Sequence, residues 1–274
     1  EIRRFLGFGG YMVGNNLVNS LNMQADIFFG GRTLGANMLG TYSLPRDLCL
    51  KFAFIINPII TRVGFPVMAK VQGDRALLKE IYLNTIRMTA SVNFPIYLGL
   101  LIFAPEVVRL LFGSQWLESI PLLRILALWG LVRSTGNPVG SLLYAKGRAD
   151  LSFKWNVVML FVFFSALWFG SRYGGQGIAI SLLASHACAM IPLWYFLVRP
   201  LSSASFREYF RQMLVPFTVA VISVIIGFVV AKLFKDTLFR LTTGVTVGGL
   251  AYLVLSRYLN RSWYVTIKEL FFRR

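Results

Sequence analysis

Acidic residues are scarce in this sequence: 11 Asp and Glu stand against 28 Lys and Arg, for a formal net charge of +17 over 274 residues. Reactions that need paired carboxylates, or a nucleophile with a base beside it, find no such constellation here. Histidine occurs once, at His186, with no acidic neighbour in sequence. It reads as a hydrogen-bonded packing residue and not as a zinc ligand. The two cysteines, Cys49 and Cys188, both fall inside predicted helices. They read as small core hydrophobes and not as a disulfide. No metal or other cofactor is therefore expected. Charge of either sign is sparse as well, at 14% of residues, where soluble domains carry about a quarter.

What the chain does have is apolar surface. Hydrophobic residues make up 56% and the mean hydropathy is +0.64, the balance of an integral membrane protein. The apolar runs extend over ~20 residues or more, which selects helices over the ~10-residue alternating strands of a barrel. Membrane-length windows mark about eight spans, at 5–29, 41–68, 86–112, 120–144, 153–170, 177–198, 214–234 and 238–259. Aromatics are 15% of the chain, and many sit where spans end, as interfacial belts require. The excess of positive charge invites a nucleic-acid reading, but the cations lie in short loops between spans. Seventeen Lys and Arg fall at one set of helix ends and six at the other. The first set, which includes both termini, is expected to be cytoplasmic.

Polar residues inside the spans are arranged in stripes. The first span carries Tyr11, Asn15, Asn19, Asn22 and Asp26 at helical spacing, so all five share a face. Interhelical hydrogen bonding and a wet lumen both account for such a stripe. The second span places Asp47, Lys51, Pro58 and Arg62 on one face, with Arg46 and Asn57 beside it. Asp47 and Lys51 are four residues apart and could neutralise each other, which leaves Arg62 unexplained. Pro58 is expected to kink this helix. The fourth span aligns Arg133, Asn137, Gly140, Ser141 and Tyr144. The fifth and sixth spans show no such stripe and are expected to face lipid or other helices. The link 74–85 and the stretch 201–213 are amphipathic and read as segments lying along the interface.

If the three stripes converge they enclose a cavity, with Arg46, Lys51, Arg62 and Arg133 against Asp26 and Asp47. The sum, 4 − 2 = +2, favours an anionic cargo. The amides of Asn15, Asn19, Asn22 and Asn137 are of the kind that bind sugars. Asp26 is also placed to take up a proton or Na⁺, or to pair with Arg32 or Arg46.

Three blocks carry a resemblance: ADIFFGGRTLGANMLGTYSLPRDL, LLFGSQWLESIPLLRILALWGLVRSTGNPVGSLLYAKGRADLSFKWN, and GGQGIAIS at the turn into the sixth span. In order and spacing the chain resembles the Wzx-type polysaccharide-repeat flippases of the multidrug/oligosaccharidyl-lipid/polysaccharide exporter superfamily, the colanic-acid-type exporters in particular. The resemblance implies an all-α membrane fold of fourteen helices in two lobes forming a V. This chain would be the C-terminal part, with residues 1–200 as the second six-helix lobe, 201–213 as a linker, and 214–274 as two appended helices with a basic tail. It implies transport of an undecaprenyl-diphosphate-linked oligosaccharide, for lipopolysaccharide O-antigen or a related polymer, from the cytoplasmic to the periplasmic leaflet by alternating access. It further implies residence in the bacterial inner membrane and partners among polysaccharide polymerases and assembly proteins, with no nucleic acid, while coupling to an H⁺ or Na⁺ gradient stays open. A cation-coupled multidrug exporter and a peptidoglycan-precursor flippase of the same superfamily are the alternatives.

Overall fold

The computed structural model describes residues 2–272, with side chains from Gly9 to Val265 and at Lys268. The side chains of Arg3 and Arg4, and the tail residues Arg273 and Arg274, which entered the charge count above, lie outside the described residues. Every regular element among the described residues is helical.

The described chain begins with α1 (Ile2–Thr33) and α2 (Ala36–Lys70), joined by a two-residue turn. The glycine-rich stretch between the first two spans is thus mostly helix. α2 stays one helix of 35 residues through Pro45, Pro58 and Pro66. At ~1.5 Å per residue it is ~50 Å long, more than a bilayer core requires.

α3 (Arg75–Ile102) starts where the Asp74 carboxylate caps the amides of Ala76 and Leu77 at 2.9 and 3.0 Å. The link 74–85, read above as a separate interfacial segment, is the first three turns of this helix. The third span then breaks at Phe103, and α4 (Ala104–Leu111) follows with Pro105 in its first turn. The fourth span is also divided, into α5 (Ile120–Ser134) and α6 (Asn137–Ala145). The break falls at Thr135 and Gly136, and Pro138 sits in the first turn of the second helix, where its missing N–H leaves no hydrogen bond unmade.

α7 (Ala149–Gly170) and α8 (Gly174–Leu193) form a hairpin that reverses at Gly174, where φ is 72°. A side chain at Gly177 would meet the Gly170 carbonyl at 2.1 Å, so the two backbones are in direct contact. A π-helical turn (Trp194–Val198) and the short α9 (Arg199–Ser202) follow.

α10 (Phe206–Ala231) opens with a capping box in which Ser205 and Glu208 satisfy each other's backbone amides. The amphipathic stretch read as a linker runs without interruption into the seventh span. α11 (Thr237–Leu259) crosses α10 where Gly227 lies against Gly244 and Gly248. A last helix, α12 (Arg261–Phe272), occupies what the sequence suggested was only a tail.

Six helical runs are long and apolar enough to cross a membrane, and one of them, Ala149–Ser202, contains the hairpin and so makes two passes. The 32-residue α1 has the length to cross as well. Two cores hold the bundle. One packs Tyr42, Tyr97, Leu123, Leu126, Leu167 and Ile178 between α2, α3, α5, α7 and α8. The other packs Met68, Tyr82, Ile86, Leu142 and Tyr209 between α2, α3, α6 and α10. α3 contributes to both, and α10 packs along it.

Candidate functional site

A cavity of about 400 Å³ lies among α1, α5, α6, α7 and α8. A second, of about 300 Å³, lies between α1, α2 and the α5–α6 break. Asn19, Met23, Asn57, Arg133 and Asn137 line both, so the two spaces are continuous around these side chains.

The wall is built on α1. Asn15 is buried and is the hub of a network: its amide donates to the Tyr144 hydroxyl at 2.9 Å, while Ser152 and Asn156 donate to its carbonyl at 3.0 and 2.7 Å. Asn22 donates to the Asn156 backbone carbonyl at 3.0 Å. The Asn stripe is therefore partly interhelical glue and partly cavity wall, both readings being met by one helix. The fifth span is corrected by this finding. It carries Asn156, which together with Ser152 just before the span, one turn away, is directed at Asn15 of α1. That i,i+4 spacing was the available signal.

Two polar atoms of wall residues are left unpaired by the fold. Asn22 Oδ1 and Asn137 Nδ2 are buried without a hydrogen-bond partner. Leaving an acceptor or a donor unpaired in this way costs free energy that a rearrangement of the wall could recover. Trp129 and Trp155 add aromatic faces. His186, read as a packing residue, stacks on Phe163 at 4.6 Å and has its Nδ1 3.2 Å from Trp129 Nε1, yet it also lines the cavity.

The charges separate into two groups. Arg46 is buried. Its Nε lies 2.5 Å and its Nη2 3.0 Å from the Asp26 carboxylate, Nη2 also donates to the Met23 carbonyl, and Nη1 lies 3.1 Å from exposed Asp47. The Tyr42 hydroxyl donates to Asp26 at 2.8 Å. Arg46 thus lines neither cavity, and the expectation that it faces the lumen is corrected. With two carboxylates near it, its hydrogen-bonding capacity is taken up inside the protein. Asp26 reaches the outer edge of the larger cavity, and its pairing is with Arg46 and not with Arg32. The Asp47–Lys51 pair does not form, because Asp47 turns to Arg46.

The second group is unpaired. Arg133 lines both cavities with its guanidinium 5.3 Å from the centre of the Trp129 ring, and it has no acidic partner among the described residues. Arg62 lines the smaller cavity and is also without one. Lys51 is exposed on α2, likewise unpaired, and lines neither space. The cluster around Arg46 sums to 1 − 2 = −1, and three free cations stand apart from it. No group of His, Cys, Asp and Glu among the described residues is suited to hold a metal ion.

Comparison with known proteins completes the description. Residues 1–121 match the family described as polysaccharide biosynthesis protein. The chain is 33% identical to the lipopolysaccharide biosynthesis protein WzxC of Escherichia coli (strain K12), over 85% of this chain and 48% of that protein. It is 32% identical to the teichuronic acid biosynthesis protein TuaB of Bacillus subtilis (strain 168), over 93% of this chain and 53% of that one. A more distant relative, at 22%, is the succinoglycan biosynthesis transport protein ExoT of Rhizobium meliloti (strain 1021), over 92% of this chain and 52% of that one. The chain spans about half the length of these curated relatives. No solved structure matches it.

Proposed function

We propose that this chain belongs with these polysaccharide biosynthesis proteins and forms one lobe of a transporter that moves a lipid-linked oligosaccharide across the bacterial inner membrane. The observation that carries the reading is the cavity itself. An unpaired arginine, two tryptophans and the asparagines Asn15, Asn19, Asn22 and Asn137 line one space inside a membrane bundle. Arginine suits phosphate or carboxylate, and asparagine with tryptophan suits sugar hydroxyls and ring faces. A glycolipid with a diphosphate linkage presents all of these. The excess of free cations speaks against a drug exporter, whose cationic cargo needs an acidic site.

In this proposal the protein is a transporter and not an enzyme. Residues 1–200 act as a lobe facing a second lobe across a central space, and the last two spans are appended to it. Both ends of the chain face the cytoplasm. Polymerase and assembly proteins receive the product. Any coupling to H⁺ or Na⁺ would run through Asp26, which must exchange Arg46 and Tyr42 for the ion.

The test is charge reversal in cells. Arg133→Glu and Arg62→Glu, each in the complete protein at matched membrane levels, are expected to abolish surface polysaccharide. Normal polysaccharide from both variants would overturn the assignment. Complementation of a peptidoglycan-precursor flippase deletion separates the nearest alternative cargo.

A further inference from the structure

At the end of the bundle where α12 begins, α3, α10, α11 and α12 meet around Arg87. This side chain is half-buried, and it is held from behind. Its Nε donates to Asn260 Oδ1 at 2.7 Å. Asn260 is fully buried, and its amide donates to Ser91 Oγ at 2.8 Å. The Tyr252 hydroxyl donates to the Ser91 carbonyl at 2.7 Å. Two helices and the α11–α12 joint therefore orient one guanidinium. Its remaining N–H groups have no acceptor among the described residues.

The next charge is of the same sign. α3 and α10 lie side by side here, held by the Lys79–Glu208 ion pair on one side and the Phe94–Phe217 ring contact at 6.0 Å on the other, and exposed Arg211 stands on α10 at the level of Arg87 between those two contacts. Neither arginine has a carboxylate partner, although Lys79 and Glu208, one turn before Arg211, do pair at 2.6 Å. Two like charges brought together without an acid cost free energy unless an anion enters between them. A fixed guanidinium with free N–H groups is a phosphate-binding geometry.

The flanks of the site are apolar and open. Phe210 and Leu214 on α10, and Tyr258 and Leu259 at the end of α11, are 46%, 50%, 74% and 53% exposed. Trp263 on α12 packs on Tyr252 beneath them. A soluble anion would leave that apolar rim in water. A phospholipid would cover it with acyl chain while its phosphate met the arginines.

We propose that Arg87 and Arg211 form a binding site for the headgroup phosphate of an anionic phospholipid, and that the bound lipid ties α10 and α12 to α3. This proposal does not depend on the cargo assigned above. The experiment uses the purified complete protein in nanodiscs of phosphatidylcholine, with and without phosphatidylglycerol, and reads the melting temperature. Phosphatidylglycerol is expected to raise it. Arg211→Gln, a change at an exposed position, is expected to remove at least half of that rise, whereas Lys235→Gln, in the turn between α10 and α11 at the other end of the bundle, leaves it intact. Arg87→Gln serves as a second variant if it folds. Equal melting in the two membranes, or a full rise in Arg211→Gln, overturns the proposal. So does an equal rise on adding glycerol 3-phosphate to the phosphatidylcholine discs, which would make the ligand a soluble phosphate.

Discussion

Arg46 and Arg133 both reach into the same bundle, and the protein treats them in opposite ways. Arg46 is surrounded by Asp26, Asp47 and a backbone carbonyl, with Tyr42 bracing the acid. Arg133 has a tryptophan face and an open cavity. The first arrangement fastens α1 to α2. The second leaves a charge available to something that is not protein. A cation withdrawn from water is costly unless it is paired, so the unpaired one marks where a ligand or water must supply what the fold omits.

The largest effect should come from breaking the fastened region. Asp26→Ala strands Arg46 without its main partner and is expected to cost about 3–5 kcal/mol. Thermal melting of the purified protein measures it. Adding Arg46→Gln to that variant should recover part of the loss, and unchanged melting in Asp26→Ala would show that the pair does not hold the helices.

Next comes the hub of the cavity wall. Asn15→Leu leaves Tyr144, Ser152 and Asn156 without their shared partner, at an expected cost of about 1–3 kcal/mol. The same melting assay detects it.

Arg133→Gln should sharpen the contrast. It removes an unpaired cation, so stability is expected to change by less than ~1 kcal/mol or to rise slightly. Surface polysaccharide should nevertheless fall severely. A variant as destabilised as Asp26→Ala would place Arg133 among the structural charges instead.

The smallest effect is expected at Asp47→Asn. Asp47 is exposed, and its contact with Arg46 contributes roughly 0–1 kcal/mol. Melting and polysaccharide should both stay near those of the parent.

Several of these features were legible in the sequence. The 4, 4, 3, 4 spacing from Tyr11 to Asp26 is a local property of one helix, and it correctly marked α1 as the polar wall. Arg133, Asn137 and Tyr144 were found by the same periodicity, and all three meet at the cavity. The break between α5 and α6 was foreshadowed by Pro138 but not recognised, and α12 was missed because its composition reads as a charged tail. Arg46 was misassigned for a different reason. Pairing with Asp26 was one of two readings open for it, and helical periodicity within α2 cannot choose between a lumen position and a partner on the preceding helix. Ser152 and Asn156 were passed over because two polar residues at the edge of a strongly apolar span carry little weight until their partner is known.

By itself the sequence determined that this protein lives in a membrane, that it is helical, and which helix faces are polar. Those follow from hydropathy and from the 3.6-residue repeat, both of which act along a single segment. Only the tertiary structure decided which charges are satisfied and which are free. Asn156 meets Asn15 across 141 residues of chain, and Arg46 meets Asp26 across 20. A buried charge takes its energy from whatever lies within a few ångströms, and that neighbour is set by helix packing, not by position along the chain.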